Sequence, residues 1–324
     1  MKALQIVNFE GPTAMKLSEL EIPTRQGTEV LMKVSAAGVA YPDLLLSKGQ
    51  YQYLPDLPFT PGSEIAGVVV EAPDNSALAP GQRVAAYCHI GGYQEYVSVE
   101  QDRVFPLPDS VTFAQGASLP INFLTAHFAL HTRIRILPTD TVLVHGAGGG
   151  LGLASIQLAR AIGAEVIAVA SDAPKQAVAK SAGANYVIGV EGFLQEVKSI
   201  TNGRGVDIVV DPVGGDRVTD SLRSLAPLGK LLILGFTSGE IPTVKTNRLL
   251  LNNIEVVGVG WGAYAMVHPG FMSEQWMQIF ELIQSGDLVP LTPTCCDLSE
   301  IPQILSGLED RTFTGKAVAT LATS

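Results

Sequence analysis

Within VLVHGAGGGLG, residues 142–152, five glycines fall between Gly146 and Gly152, after a β-branched run and before LASIQLARAIGA. In that second stretch Leu153, Ile156, Leu158, Ala161 and Ile162 fall largely on one helical face. Strand, glycine turn and helix in this order is the setting in which a glycine run suits a dinucleotide. Glycine admits positive φ without a Cβ penalty and lets the backbone approach a pyrophosphate. The N–H groups at the helix start then face the phosphate charge. Gly148, Gly149, Gly150, Leu151 and Gly152 are the residues expected to do this. The spacing departs from G-x-G-x-x-G, since aligning Gly149 and Gly152 puts Ala147 first. A tight turn before a packed helix is the competing reading.

The end of the next strand bears on which dinucleotide binds. NAD sites usually place Asp or Glu there, about 20 residues past the turn. EVIAVA ends at Ala170 and Ser171, and Asp172 comes one step late, before Ala173-Pro174, where it suits a helix N-cap. Without the acid a 2′-phosphate is not repelled. Ser171 and Lys175 then offer it a hydrogen bond and a charge, so the expected cofactor is NADPH. A solvated surface lysine is the other reading of Lys175.

The elements that must position these residues follow from periodicity. Residues 1–110 read as strands and turns, with β-rich stretches at 31–39, 63–72, 81–87 and 91–100 and prolines at 55, 58, 61, 73 and 80. A small, partly closed β-barrel is expected there. Residues 114–131 read as helical on both sides of a break at Pro120. Beyond Asp140, six strands (141–146, 165–170, 186–189, 206–214, 229–236, 253–260) alternate with helices at 153–162, 174–182, 192–201 and 217–226. That alternation implies a doubly wound parallel sheet with right-handed crossovers. A helix at 273–284, a strand at 292–297, a helix at 300–309 and a strand at 315–321 follow, and the return of strand character lets the tail rejoin the first domain. The fold class is α/β.

With 324 residues, two domains are expected. The excess of 31 acidic over 21 basic residues, a net charge of −10, argues against nucleic acid or an anionic membrane as partner. No apolar run reaches bilayer length, and 1–9 is too short and polar for a signal peptide. Three cysteines, Cys88, Cys295 and Cys296, form no C-x-x-C pair, which fits a reducing, cytoplasmic setting and supplies no four-cysteine zinc site. The sixth strand, NIEVVGVG, is expected at a sheet edge, where it invites pairing in a homodimer.

These motifs, with AAGVAYPDLLLSKGQY (36–51), PGSEIAGVV (61–69), NFLTAHFAL (122–130), GVDIVVDPVGG (205–215) and GKAV (315–318), resemble the zinc-independent quinone oxidoreductase (zeta-crystallin-like) branch of the medium-chain dehydrogenase/reductase superfamily. The resemblance spans nearly the whole chain. It implies a GroES-like catalytic domain over 1–120, a Rossmann dinucleotide-binding domain over 121–260, and a segment 261–324 returning to the catalytic domain. Where the zinc alcohol dehydrogenases carry a catalytic cysteine and Gly-His-Glu, this chain has Ala40 and Gly62-Ser63-Glu64, and the lobe of structural cysteines is missing. No metal is therefore expected, and His89 reads as a packing or loop residue.

The branch commonly has asparagine where Ala40 stands. Tyr41 beside it has two readings of equal weight: a contact to the nicotinamide end and hydrogen-bond donor to substrate, or packing at the barrel mouth. Asp43 reads as a local turn or helix cap. By resemblance Thr125, and more weakly Asn122, lie near the nicotinamide. Tyr186 meets the adenosine phosphate, and Gly235, Phe236, Val259, Gly260 and Lys316 lie along the cofactor. The implied reaction is hydride transfer from NADPH to quinones or other α,β-unsaturated carbonyl compounds. The alternatives are an enoyl-thioester or short-chain enone reductase, and a non-catalytic NADPH-binding sensor or structural protein.

Overall fold

The computed structural model describes residues 1–321; residues 322–324, the end of the expected C-terminal segment, lie outside them. The chain forms two compact units. The first comprises Met1–Ile121, Pro269–Gly286 and the chain from Pro290, and the second comprises Asn122–His268 and Asp287–Val289.

The first unit begins with an antiparallel ribbon, β1 (Lys2–Gln5) and β2 (Lys16–Glu19). Then come β3 (Glu29–Val39), α1 (Tyr41–Ser47), β4 (Glu64–Glu71), β5 (Arg83–Tyr87), β6 (Tyr96–Glu100), β7 (Val104–Pro106) and the one-turn α2 (Phe113–Gly116). β3 is the long member. β4 pairs along one of its edges, with register shifts beside Met32 and Ala36, where the strand bends. Met32, Val34, Leu44, Leu46, Ile65, Val84 and Tyr93 share one buried core. The helix α1 interrupts the expected strands, as the cap reading of Asp43 allowed. The chain turns helical there because Pro42 sits in its first turn and the Asp43 carboxylate accepts from the Ala40 N–H, while Leu44 and Leu46 face the core.

The boundary between the units falls within α3 (Pro120–His127). The expected break is there: α2 ends at Gly116, and Pro120 opens α3 after it, as suits a residue with no N–H to donate. A π-helical turn, Phe128–Arg133, continues it. The second unit alternates β8 (Thr141–Val144), α4 (Gly150–Ile162), β9 (Glu165–Val169), α5 (Ala173–Ser181), β10 (Tyr186–Ile188), α6 (Phe193–Ile200), β11 (Val206–Asp211), α7 (Val218–Ser224), β12 (Leu225–Ile233), α8 (Asn247–Asn252), β13 (Glu255–Gly258) and α9 (Trp261–Ala265). The six strands are parallel in the order β10-β9-β8-β11-β12-β13, so strand order reverses between β8 and β11 and β13 is an edge. The short α8 and α9 carry no long apolar period and were not expected. The expected limit at 260 falls just after β13, and the compact unit runs on through α9 to His268.

The chain then gives α10 (Phe271–Ser285), β14 (Thr294–Cys296), α11 (Ile301–Glu309) and β15 (Ala317–Thr320). β15 pairs antiparallel with the far half of β3, whose near half holds β6, completing the order β14-β15-β3-β4-β5-β7. Serving different partners along one edge, the bent β3 curls the sheet. Trp276 of α10 is buried, stacks on Phe105 at 4.9 Å and donates from Nε1 to the Pro106 carbonyl.

Candidate functional site

In the second unit the glycine turn lies at the carboxyl ends of the strands, beside the point of reversal. Gly146 takes φ +59, a left-handed conformation that favours glycine. A Cβ on Gly152 would overlap the Gly146 carbonyl oxygen and lie 2.8 Å from the Ala147 Cα, so strand end and helix start touch backbone to backbone. α4 begins with no side-chain cap and no acid in its first turn. Its first N–H groups, from Gly150, Leu151 and Gly152, lack intrahelical acceptors and point their partial positive charge out of the turn. Gly149 is exposed, and a Cβ there would meet nothing nearer than 3.5 Å. This cradle fits a pyrophosphate.

Two further expected residues gather at the turn. The Asn122 amide would lie 2.8 Å from a Cβ on Gly150, and a Cβ on Gly148 would overlap the Lys175 stem. Asp172 caps α5, its Oδ1 accepting from the Lys175 N–H at 3.0 Å. Its Oδ2 accepts from the Lys175 ammonium and the Ser171 hydroxyl, both at 2.8 Å. Hydrogen bonds from Lys175 and Ser171 hold the Asp172 carboxyl down at about 2. Ser171, exposed, with Asp172 and Lys175, half-buried, thus form one cluster at the end of β9, with the lysine charge shared.

The other expected residues stand apart from the turn. Tyr186 opens β10 with an exposed ring; Gly235 and Phe236 follow β12; Val259, buried, and Gly260, exposed, follow β13. Thr125 is half-buried on α3, and its hydroxyl makes no hydrogen bond among the described residues. Asp211, to which the sequence assigned no role, braces the loop that follows β11. Its Oδ1 accepts from the Val213 and Gly214 N–H groups at 2.8 and 3.0 Å. The available signal was a carboxylate closing the apolar run of β11.

In the first unit, Ala40 and Ser63 are held by a buried polar network. Asp43 is wholly buried. Its Oδ2 accepts from the Ala40 N–H at 2.9 Å and the Tyr93 hydroxyl at 2.6 Å, and its Oδ1 accepts from the Gly62 N–H at 3.1 Å. Burial raises its carboxyl to about 6 despite the lowering effects of Tyr93, Ala40, Lys316 and Gly62. Ser63 spends its hydroxyl on the His89 carbonyl at 2.7 Å. Tyr41 begins α1, half-buried against the core, and its hydroxyl has no hydrogen bond among the described residues. Lys316 pairs with the fully buried Glu64 and donates to the Val39 carbonyl at 2.7 Å, while Glu64 Oε2 accepts from the Ile121 N–H. Sequence reading assigned no role to Glu64 or Tyr93. Burial of His89 lowers its pKa. Among the described residues no three His, Cys, Asp or Glu side chains gather where they could hold a metal.

The family comparisons accord with both units. Residues 26–109 match the alcohol dehydrogenase GroES-like domain, and residues 150–285 match the zinc-binding dehydrogenase family. The fold and its glycine turn therefore define an oxidoreductase of the medium-chain dehydrogenase/reductase superfamily. A quinone oxidoreductase-like protein 2 of Rattus norvegicus is 36% identical over 90% of this chain and 85% of its own length. Among solved structures, a probable oxidoreductase of Mycobacterium abscessus is 38% identical, with a TM-score of 0.90 and 99% of each chain covered. The Escherichia coli quinone oxidoreductase complexed with NADPH is 26% identical, with a TM-score of 0.90, covering 99% of this chain and 100% of that one. The chain belongs to the quinone oxidoreductase-like branch of this superfamily.

Proposed function

We propose that this protein reduces quinones or other α,β-unsaturated carbonyl compounds with NADPH, without zinc. The observation that carries the reading is the pair Ala40 and Ser63, a methyl group and a hydroxyl already bonded to the His89 carbonyl. A saturated ketone needs its oxygen polarised, which zinc does elsewhere. A quinone or enone accepts hydride readily. Bound NADPH supplies that hydride from C4 of its nicotinamide. The acceptor takes up one hydride and one proton, giving the hydroquinone or the saturated carbonyl compound and NADP⁺.

The residues then divide the labour. N–H groups of the turn at Gly148–Gly152 bind the pyrophosphate. Ser171 and Lys175 bind the 2′-phosphate, drawing Lys175 from Asp172, and Tyr186 flanks the adenosine. Asn122, Thr125, Gly235, Phe236, Val259, Gly260 and Lys316 border the rest of the cofactor. Tyr41 donates its uncommitted hydroxyl to the acceptor oxygen as charge develops there. NADPH complexes among the solved relatives support the cofactor choice.

The test is NADPH oxidation against a panel of quinones, enones and enoyl thioesters, repeated with NADH and with Tyr41→Phe, on protein assayed for metal. We expect quinone or enone turnover, weaker use of NADH, slower turnover by the variant and no stoichiometric zinc. Turnover confined to enoyl thioesters would select the thioester reductase, and binding without turnover would select the sensor. Bound zinc, or equal use of NADH, would refute the corresponding part.

We also propose a homodimer. β13 is a sheet edge, and Leu250 and Leu251 of α8 are 77% and 74% exposed. Sedimentation equilibrium should give a dimer that Leu250→Asp with Leu251→Asp converts to monomer. A wild-type monomer would exclude it. The described residues include no helix long and apolar enough to cross a membrane.

A further inference from the structure

Beneath the glycine turn lies a polar cluster to which the proposed reaction assigns nothing. His145 follows β8 directly and donates its N–H to the Val210 carbonyl at 3.0 Å, which sets it beside Asp211 across the parallel pair β8–β11. Both side chains are wholly buried. By alternation they share the sheet face of Leu143 and Val209, which pack with Val218 and Leu222 of α7. From α7, Ser221 brings its hydroxyl to 2.9 Å from His145 Nε2. That hydroxyl donates its single proton to the Arg217 carbonyl at 3.1 Å, so Nε2 must carry the imidazole proton and donate to Ser221. His145 Nδ1 is then a bare acceptor.

Three buried atoms here have no partner among the described residues: His145 Nδ1, Asp211 Oδ2 and Arg217 Nε. Two are acceptors and one is a donor. Leaving each of them buried and unpaired is unfavourable. A water molecule donates two protons and accepts at least one, which matches this set.

We propose that one internal water is bound here, donating to His145 Nδ1 and Asp211 Oδ2 and accepting from Arg217 Nε. Ser, His and Asp side chains occur together in hydrolases, but Ser221 is fully buried and its proton is committed, so no substrate reaches it. The role is positioning. With Oδ2 held by the water, Oδ1 holds the Val213 and Gly214 N–H groups. Pro212 and Val213 pack at Gly146, and their carbonyls accept from Thr237 and Ser238 at 3.2 and 2.9 Å. The water bracket thereby fixes the glycine turn and the loop after β12 relative to each other. Burial takes the His145 pKa down to about 4, which keeps the imidazole neutral at physiological pH.

The effect on cofactor binding rests on the function proposed above; the water does not. Long-range ¹⁵N–¹H correlation on the ligand-free, labelled full chain should show His145 protonated at Nε2 between about pH 5 and 8, and a high-resolution crystal structure should show one water bonded to all three atoms. A proton on Nδ1, or direct contact among the three groups, overturns the site. In Arg217→Met the water loses its donor, and the Kd for NADPH should rise about tenfold with kcat at saturating NADPH kept within about twofold. An unchanged Kd, or a loss confined to kcat, overturns the positioning role. Failure of the wild type to bind NADPH would count against the cofactor reading alone, since the two measurements on ligand-free protein still decide the water.

Discussion

Gly152→Ala should raise the Kd for NADPH about a hundredfold, or ~2.7 kcal/mol, and lower the Tm by several degrees. The added methyl would overlap the Gly146 carbonyl oxygen and approach the Ala147 Cα at 2.8 Å. Both are backbone atoms, so no side chain can rotate away. The start of α4 must lift from the end of β8, at a cost of about 1–3 kcal/mol for overpacking. Its N–H groups then leave the positions that suit a phosphate. Gly149→Ala separates fold from ligand. Gly149 is exposed and extended, and the nearest atom to its added methyl is 3.5 Å away. Its Tm should equal the wild type's, while NADPH binding weakens through crowding of the pyrophosphate. Fluorescence titration and thermal denaturation read the two effects. Wild-type affinity in both variants would remove the turn from the cofactor site.

The second unit was largely legible in the sequence because its inner strands β8, β9 and β11 are buried on both faces. Apolar β-branched runs such as VLV and VIAV, spaced by amphipathic helices, leave little choice but a parallel sheet. Local chemistry was legible too: Asp172 before Ala-Pro announced its N-cap, which the structure contains. What escaped was contact between residues far apart in the chain. Asp43 reads as a cap from its neighbours, and it does bond the Ala40 N–H, but nothing near it foretells Tyr93, fifty positions on. The same holds for Glu64, whose partner Lys316 is 252 residues away. Short helices escaped for another reason. In α8, NRLLLN, every residue is exposed or half-buried, so no buried face leaves a period to read.

Asp43→Asn should make stability depend on pH differently, with a sign fixed by the burial of the group. The folded-state pKa of about 6 lies above the ordinary aspartate value of 3.8, so folding favours the protonated carboxyl. Its stabilising contribution is fully present below about pH 3.8 and is lost as pH rises through about 6, above which the loss is constant. The difference between these two values corresponds to ~3 kcal/mol. Other carboxylates dominate the raw acid transition, so the readout is the difference in unfolding free energy, wild type minus variant, from urea melts at several pH values. That difference should fall by up to ~3 kcal/mol between about pH 4 and 7, then level off. The amide cannot titrate, and its NH₂ must oppose one of the three donors that Asp43 accepts, a pH-independent cost of about 1–3 kcal/mol. A difference flat with pH would mean that Asp43 does not titrate in this range. The charge that Asp43 bears at neutral pH costs stability, yet it gathers the N–H groups of Ala40 and Gly62 and the hydroxyl of Tyr93 at one point. In the zinc enzymes the stretches around Ala40 and Ser63 are tied together by a metal. Here a buried carboxylate joins the same two stretches of backbone, which gives a physical reason for keeping an ionised group in the core of this unit.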